Sequence, residues 1–241
     1  MIVLIELKDV TLKYSKRFLG GDMINLTIPT GEIVGILGEN GSGKTTLLKS
    51  IMGLKSLFEG EIKMEGESVM KQYDKISFIT EEGSYIPDMT PIQYATFLGD
   101  FFPYFKMDKF IQLLEYFEIP RHRKIKTFSR GMKSKVEICA GFSKGAKYIV
   151  MDEPFLGKDI FTRRDFLKMM VSSLQADETI LISTHLIDEI ENVIDRAIVL
   201  QGGRIKGNVY IDELREEGNT LESYMEKIAN YKQDKYTSLS D

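Results

Sequence analysis

The stretch Gly38-Glu39-Asn40-Gly41-Ser42-Gly43-Lys44-Thr45 fits the pattern G-x-x-x-x-G-K-[S/T]. It follows a short apolar run at 33–37 and leads into a predicted helix over 44–52. Glycines let such a loop turn its backbone N–H groups towards phosphate oxygens, and the helix N-terminus adds the positive end of its dipole. Lys44 is expected to reach the β- and γ-phosphates as a catalytic group, and the Thr45 hydroxyl to ligate Mg²⁺. The stretch, extended to Thr46, therefore predicts a binding site for nucleotide phosphates.

A dinucleotide-binding fingerprint, G-x-G-x-x-G, is a different use of glycines after a strand. Read from Gly41, that pattern requires a glycine at position 46, where Thr46 stands. A dinucleotide such as NAD is therefore excluded as the ligand of this loop.

Short apolar runs predict the strands of a buried sheet. They lie at 33–37, 76–79, 148–151, 180–182 and 197–200. Helix-like stretches separate several of them, so we expect a P-loop NTPase of the α/β class with a mostly parallel core sheet. Residues 2–37 alternate apolar runs with turn residues at Gly20-Gly21 and Pro29-Thr30-Gly31. This pattern predicts tight turns and an antiparallel β subdomain on the N-terminal side.

The pattern changes between 82 and 144, where apolar residues recur at helical spacing without strands. This segment predicts a helical subdomain inserted into one domain, whose α/β core comprises 1–81 and 145–217. Residues 218–241 are expected to form a short C-terminal helix and a polar tail, frayed from Tyr231 onward. Aromatic residues near the start of the helical segment belong either to its core or to a groove for a partner helix. They are Tyr94, Phe97, Phe101, Phe102, Tyr104 and Phe105.

Charge and composition exclude several classes of protein. The 241 residues include 32 basic and 36 acidic ones, a net charge of -4, which does not favour a nucleic-acid partner. Cys139 is the single cysteine, so an internal disulfide is excluded and a reducing cytoplasm is expected. No run approaches the roughly 18 apolar residues of a membrane span, and the N-terminal residues resemble a strand more than a signal peptide. Any membrane role is therefore expected to be peripheral.

Polar side chains follow two of the predicted strands. Asp152 and Glu153 end one strand, and His185 follows the next. Ligands of parallel sheets bind at the carboxyl ends of the strands. We expect Asp152 to hold Mg²⁺, Glu153 to be free to deprotonate an attacking water, and His185 to contact the γ-phosphate. The basic run 121–126, which includes the other histidine, His122, is interpreted as a solvated loop.

The stretch Thr127-Phe128-Ser129-Arg130-Gly131-Met132-Lys133 resembles the L-S-G-G-Q signature of the ATP-binding cassette (ABC) ATPases. Ser129 and Gly131 match the signature, whereas positions 128, 130 and 132 depart from it. The order of features matches the family: phosphate loop, helical insertion, signature, paired acidic residues, histidine. The resemblance covers residues 3 to 225.

The resemblance implies further residues of an ATP site. Tyr14 is similar to the family's adenine-stacking aromatic, and Glu81 stands where a glutamine usually contacts the metal and the attacking water. Asp159 matches the aspartate that follows the acidic pair, in a loop that otherwise departs from the family pattern. In this family two subunits pack head to tail, which implies that Ser129 and Gly131 complete the γ-phosphate site of a second copy or a related subunit.

The resemblance also implies a role in transport. The signature variant together with Glu81 is similar to bacterial exporter ATPases that pair with a separate transmembrane permease. This implies a cytoplasmic subunit, peripheral on the inner face of the membrane, that contacts the bilayer only through the permease. Two alternatives stay open: a single-cassette ABC ATPase acting without a permease in a cytosolic assembly process, and a small-molecule P-loop kinase.

Overall fold

Two β-sheets form the framework of the chain, which a computed structural model describes over residues 3–15, 18–80, 83–155 and 160–229. The strands are β1 Val3–Ser15, β2 Phe18–Pro29, β3 Ile33–Leu37, β4 Glu59–Met64, β5 Glu67–Ser68, β6 Ile76–Thr80, β7 Tyr148–Asp152, β8 Thr179–Thr184, β9 Arg196–Gln201 and β10 Arg204–Tyr210. The helices are α1 Lys44–Ile51, α2 Pro91–Phe101, α3 Met107–Tyr116, α4 Arg130–Ser143, α5 Ile160–Ser173, α6 Ile187–Ile190, α7 Ile211–Glu216 and α8 Leu221–Ala229.

The larger sheet has the order β10-β9-β3-β8-β7-β6. All pairs from β9 to β6 are parallel, and β10 adds an antiparallel edge strand. Every one of the predicted apolar runs is a strand of this sheet, so the fold-class prediction is confirmed. The register pairs Leu37 with Thr184 and Asp152 with Ser183, so the carboxyl ends of β3, β8 and β7 lie at one edge.

The smaller sheet is antiparallel, in the order β2-β1-β4-β5. A turn follows β2 at Thr30-Gly31, as the sequence predicts. The predicted turn at Gly20-Gly21 is wrong, because both glycines belong to β2. A Cβ atom on Gly21 would lie 2.8 Å from the Ile24 side chain and 3.0 Å from that of Leu12. This glycine therefore allows close packing and does not mark a turn.

Helices α2, α3 and α4 occupy the segment between β6 and β7. Thr90 and Gln93 form a reciprocal capping box at the start of α2. Phe110 of α3 and Val136 of α4 belong to one apolar cluster with Ile149 of the parallel sheet, so the helices and the sheet share a core. The subdomain boundaries stay a prediction.

Helix α8 packs on the antiparallel edge of the larger sheet. Leu221 and Met225 are fully buried. A Cβ on Gly207 of β10 would lie 2.3 Å from Ile228, so the helix approaches the strand backbone closely there. Across the described ranges, none of the helices combines the length and the apolar character that crossing a bilayer requires. The predicted tail from Tyr231 lies outside the described residues.

Candidate nucleotide-binding site

The predicted phosphate loop connects β3 to α1 at the carboxyl edge of the parallel sheet. Gly38, Gly41 and Gly43 have positive φ angles of 148°, 82° and 109°. A Cβ on Gly38 would lie 2.3 Å from the Leu200 carbonyl oxygen, so only glycine fits there. Gly43 immediately precedes α1 and provides no side-chain cap, which leaves the first N–H groups of the helix to other partners. An anion is the ligand that such a helix start favours.

Lys44 lies inside this loop with its side chain 5% exposed. Its Nζ donates to the carbonyl oxygens of Gly38, at 2.8 Å, and Glu39, at 3.2 Å. The same Nζ lies 3.2 Å from Oε1 of Glu153, which is part of the acidic pair after β7. The ammonium group is thus held between the loop and the acidic pair.

Asp152 lies at the end of β7, next to the first turn of α1. Its Oδ1 accepts a hydrogen bond from Thr45 Oγ1 at 3.0 Å and another from Ser183 Oγ at 2.6 Å. The phosphate loop, β7 and β8 therefore meet at one carboxylate oxygen.

Glu153 has a left-handed backbone conformation with φ 45°. Its backbone N–H bonds both the carbonyl and the hydroxyl oxygen of Ser183, at 3.1 and 3.0 Å. In the carboxylate, Oε1 pairs with Lys44 and Oε2 lies 3.0 Å from Nδ1 of His185. Both oxygens of the carboxylate therefore have a neighbouring side chain, and the role of Glu153 as the base stays a prediction. The cause of these contacts is the sheet order, which brings β3, β8 and β7 side by side.

Comparison with known proteins identifies the family. Residues 22–156 match the family described as ABC transporter. The chain belongs to this family. It is 32% identical to the ABC transporter ATP-binding protein YtrB of Bacillus subtilis (strain 168) over 198 residues, which cover 80% of this chain and 68% of YtrB. It is 30% identical to the ABC-type transporter ATP-binding protein EcsA of the same organism, over 89% of this chain and 90% of EcsA.

A solved structure of an ATP binding subunit of an ABC transporter has the same fold. The two chains superpose with a TM-score of 0.81 at 26% identity, over 92% of this chain and 98% of the other. The protein is thus an ABC transporter ATP-binding subunit and an ATPase, and it acts together with a transmembrane partner.

The residues of this ABC subunit fit a nucleotide with Mg²⁺. Thr45 Oγ1 and Asp152 Oδ1 lie 3.0 Å apart, and hydroxyl and carboxylate oxygens are atoms of the kind that Mg²⁺ prefers. Within the described ranges, no three His, Cys, Asp or Glu side chains cluster as a metal site. The remaining ligands would therefore come from phosphates and water, as is usual for Mg²⁺. Ser42 Oγ is buried in the loop without a hydrogen-bond partner among the described residues, which fits a site whose ligand supplies polar contacts.

The residues that resemble the family signature lie at the start of α4. Ser129 is the N-cap residue, and its Oγ accepts a hydrogen bond from the Met132 N–H at 3.2 Å. Ser129 and Gly131 are both exposed. Other positions carried over from the family are not described: the Tyr14 side chain, Glu81 and Asp159 lie outside the described residues.

Ser183 is the functional candidate that the sequence analysis passes over. It directly follows the apolar run 180–182, and a single serine carries no motif. The signal that could have found it is the pairing of β7 with β8, which places position 183 opposite Asp152.

Proposed function

We propose that the chain powers an export transporter by hydrolysing ATP bound with Mg²⁺ between two head-to-tail subunits. The observation that supports this is that five polar side chains meet at one edge of the sheet: Lys44, Thr45, Asp152, Glu153 and His185. The hydroxyls of Thr45 and Ser183 lie 3.0 and 2.6 Å from Asp152 Oδ1. Lys44 Nζ and His185 Nδ1 lie 3.2 and 3.0 Å from the oxygens of Glu153. These groups comprise a phosphate counter-charge, two oxygen ligands, a base and a histidine. The lysine, the two oxygen ligands and the base are groups that recur in enzymes of phosphoryl transfer, and the histidine is an additional polar group beside the base.

Each group has a distinct role in the proposed reaction. Lys44 leaves Glu153 and binds the β- and γ-phosphates, which frees the carboxylate to accept a proton from the attacking water. His185, hydrogen-bonded to the same carboxylate, orients it and lies ready to contact the γ-phosphate. Thr45 and Asp152 would hold Mg²⁺, which would supply positive charge beside the phosphate oxygens.

The second subunit supplies the signature. Ser129 and Gly131 are exposed at the start of a 14-residue helix, so a phosphate bound to another copy can reach their polar groups and the helix N-terminus. ATP then joins the two subunits, and hydrolysis loosens them because the γ-phosphate contacts are lost. Asp159 takes its proposed family role in these contacts. Glu81 would contact the metal and the attacking water, and Tyr14 stacks on the adenine.

The helical segment faces the permease in this proposal. Of its aromatic residues, Tyr94 is buried, and Phe97, Phe102 and Phe105 pack against the core. Phe101 and Tyr104 are 65% and 62% exposed. These two are the candidates for contact with a cytoplasmic helix of the permease, which holds the subunit on the inner face of the membrane.

Co-purification tests the partner. The full chain, tagged and expressed in its own cells, is expected to carry down a transmembrane protein from detergent extracts. Substitution of both Phe101 and Tyr104 by alanine is expected to weaken this recovery. The matched control is Tyr116→Ala, which removes an aromatic residue that is 51% exposed on α3. Recovery of soluble partners alone would favour the cytosolic assembly ATPase and contradict the transporter proposal.

Two further measurements test the dimer and the direction of transport. With ATP and Mg²⁺, Glu153→Gln is expected to accumulate as a dimer in size-exclusion chromatography, whereas Lys44→Ala stays monomeric. Cells without the chain are expected to retain a compound that wild-type cells release into the medium. A compound that instead fails to enter the mutant cells would indicate import.

A further inference from the structure

Ser183 of β8 is fully buried, with 0% of its surface exposed, and its single hydroxyl contacts both acidic residues of the site. It donates to Oδ1 of Asp152 at 2.6 Å and accepts the backbone N–H of Glu153 at 3.0 Å. The geometry points to Ser183 as a positioning residue for ATP hydrolysis, which fixes the metal ligand and the base with one hydroxyl.

The directions of these two hydrogen bonds are determined by chemistry. A serine hydroxyl has one proton and two acceptor lone pairs. A backbone N–H can only donate, so the Glu153 N–H must use a lone pair of Ser183. The serine proton is then available for the Asp152 carboxylate, which is an acceptor when ionised. Each partner thus fixes the rotation of the hydroxyl for the other.

The contact with Asp152 matters because two hydroxyls share the same carboxylate oxygen. Thr45 also donates to Oδ1, at 3.0 Å, but its oxygen is itself a proposed metal ligand. If the Thr45 hydroxyl binds a metal instead, the Ser183 hydroxyl still donates a hydrogen bond to Oδ1 of Asp152. It then holds the plane of the carboxylate, because Ser183 lies on a central strand and is paired in register with Asp152.

The contact with Glu153 restrains an unfavourable backbone. A φ angle of 45° is uncommon for a residue with a side chain and persists where the surroundings hold it. Here the N–H bonds the carbonyl and the hydroxyl of Ser183. This conformation directs the side chain to Lys44 and His185. The inference rests on the proposed function, in which Glu153 is the base.

The test compares Ser183→Ala and Ser183→Cys in the full chain. Cysteine keeps the approximate shape and offers only weak hydrogen bonds. We expect kcat to fall about ten- to a hundredfold in both, as for loss of a hydrogen bond to a charged group, while the KM for ATP changes less than about threefold. A second readout is binding of a fluorescent ATP analogue as a function of Mg²⁺ concentration, which is expected to require several times more Mg²⁺ in both variants.

Ser77→Ala is the matched control. Ser77 is a fully buried serine on β6, in the same sheet, and its hydroxyl donates to the Gly141 carbonyl at 2.8 Å, away from the acidic pair. It is expected to lose stability with kcat and Mg²⁺ dependence unchanged. Wild-type kinetics in both Ser183 variants would overturn the inference, and so would an equal fall of kcat in Ser77→Ala.

Glu153→Gln, assayed in parallel, separates this inference from the function on which it depends. If Glu153→Gln hydrolyses ATP as wild type does, the proposed base is wrong, and the positioning role of Ser183 fails with it. If Glu153→Gln is inactive and both Ser183 variants are active, the proposed function stands and only the role of Ser183 is refuted.

Discussion

The carboxylate of Glu153 forms an ion pair with the ammonium group of Lys44, which is expected to bind the phosphates of ATP. Lys44 Nζ lies 3.2 Å from Oε1 of Glu153, and both side chains are largely buried. ATP must therefore break this ion pair when it binds. Glu153→Gln removes the negative charge and keeps the shape, so we expect ATP to bind more tightly while hydrolysis stops.

The size of the effect follows from the distance. At 3.2 Å, the attraction between two unit charges is about 1 kcal/mol in a medium like water and about 5 kcal/mol at the effective dielectric constant of a protein site. Lys44 keeps its bonds to the Gly38 and Glu39 carbonyls in the variant, which lowers the gain. We take about 1–2 kcal/mol as the net gain, which corresponds to roughly five- to thirtyfold tighter binding.

The assay is equilibrium titration with a fluorescent ATP analogue, beside single-turnover release of phosphate. Glu39→Gln is the control for charge, because it removes one carboxylate from the same loop, where Glu39 is exposed. Its dissociation constant is expected to change by less than about twofold, as for a screened surface charge. A dissociation constant for Glu153→Gln equal to that of wild type would refute the competition between Glu153 and phosphate. Rapid turnover would refute its role as base.

Three other substitutions test separate parts of the structure. Lys44→Ala is expected to abolish ATP binding or hydrolysis through loss of the phosphate counter-charge, and wild-type turnover would contradict the assignment of the loop. A hydrogen bond from Lys75 lowers the pKa of Glu65 below its ordinary value of 4.5, and burial only partly opposes this. The ionised carboxylate therefore stabilises the fold above that pH, and the effect is lost as the pH falls. Urea unfolding from pH 7 to pH 3 is therefore expected to show a shallower loss of stability in Glu65→Gln than in wild type, and parallel curves would count against it. Tyr94→Phe removes a hydrogen bond to the buried Glu137 carboxylate. Chemical denaturation is expected to show a free energy of unfolding lower by about 1–3 kcal/mol. A change below about 0.5 kcal/mol would contradict this.

The strands and the phosphate loop could be predicted from the sequence because their signals are local. An apolar run such as 33–37 must be buried on both faces, and a loop such as 38–45 needs its glycines and lysine at fixed spacing. The contact between Lys44 and Glu153 could not be predicted in this way. It depends on the order β3-β8-β7, which no local pattern specifies.

The same limit explains why the role of Gly21 and the exposure of two aromatic residues could not be predicted from the sequence. Glycine is common in turns, so the sequence predicts a turn at Gly21, but the packing of Leu12 and Ile24 decides its role. Likewise, the spacing of Phe101 and Tyr104 does not distinguish them from the buried Tyr94. Their exposure is determined by where α3 and α4 pack, which is a property of the folded chain.

A buried carboxylate links α4 to the segment between β6 and α2. Glu137 of α4 accepts hydrogen bonds from Tyr94 of α2 at 3.2 Å and from Ser84 at 3.1 Å. Burial, and then the charge of Glu137, raise the pKa of Tyr94, so its phenol stays a donor. A displacement of Ser84 must therefore move α4 as well or leave a buried carboxylate short of partners, which is costly. The network therefore connects α4, the helix that Ser129 caps, to Ser84 and to α2 through a single buried carboxylate.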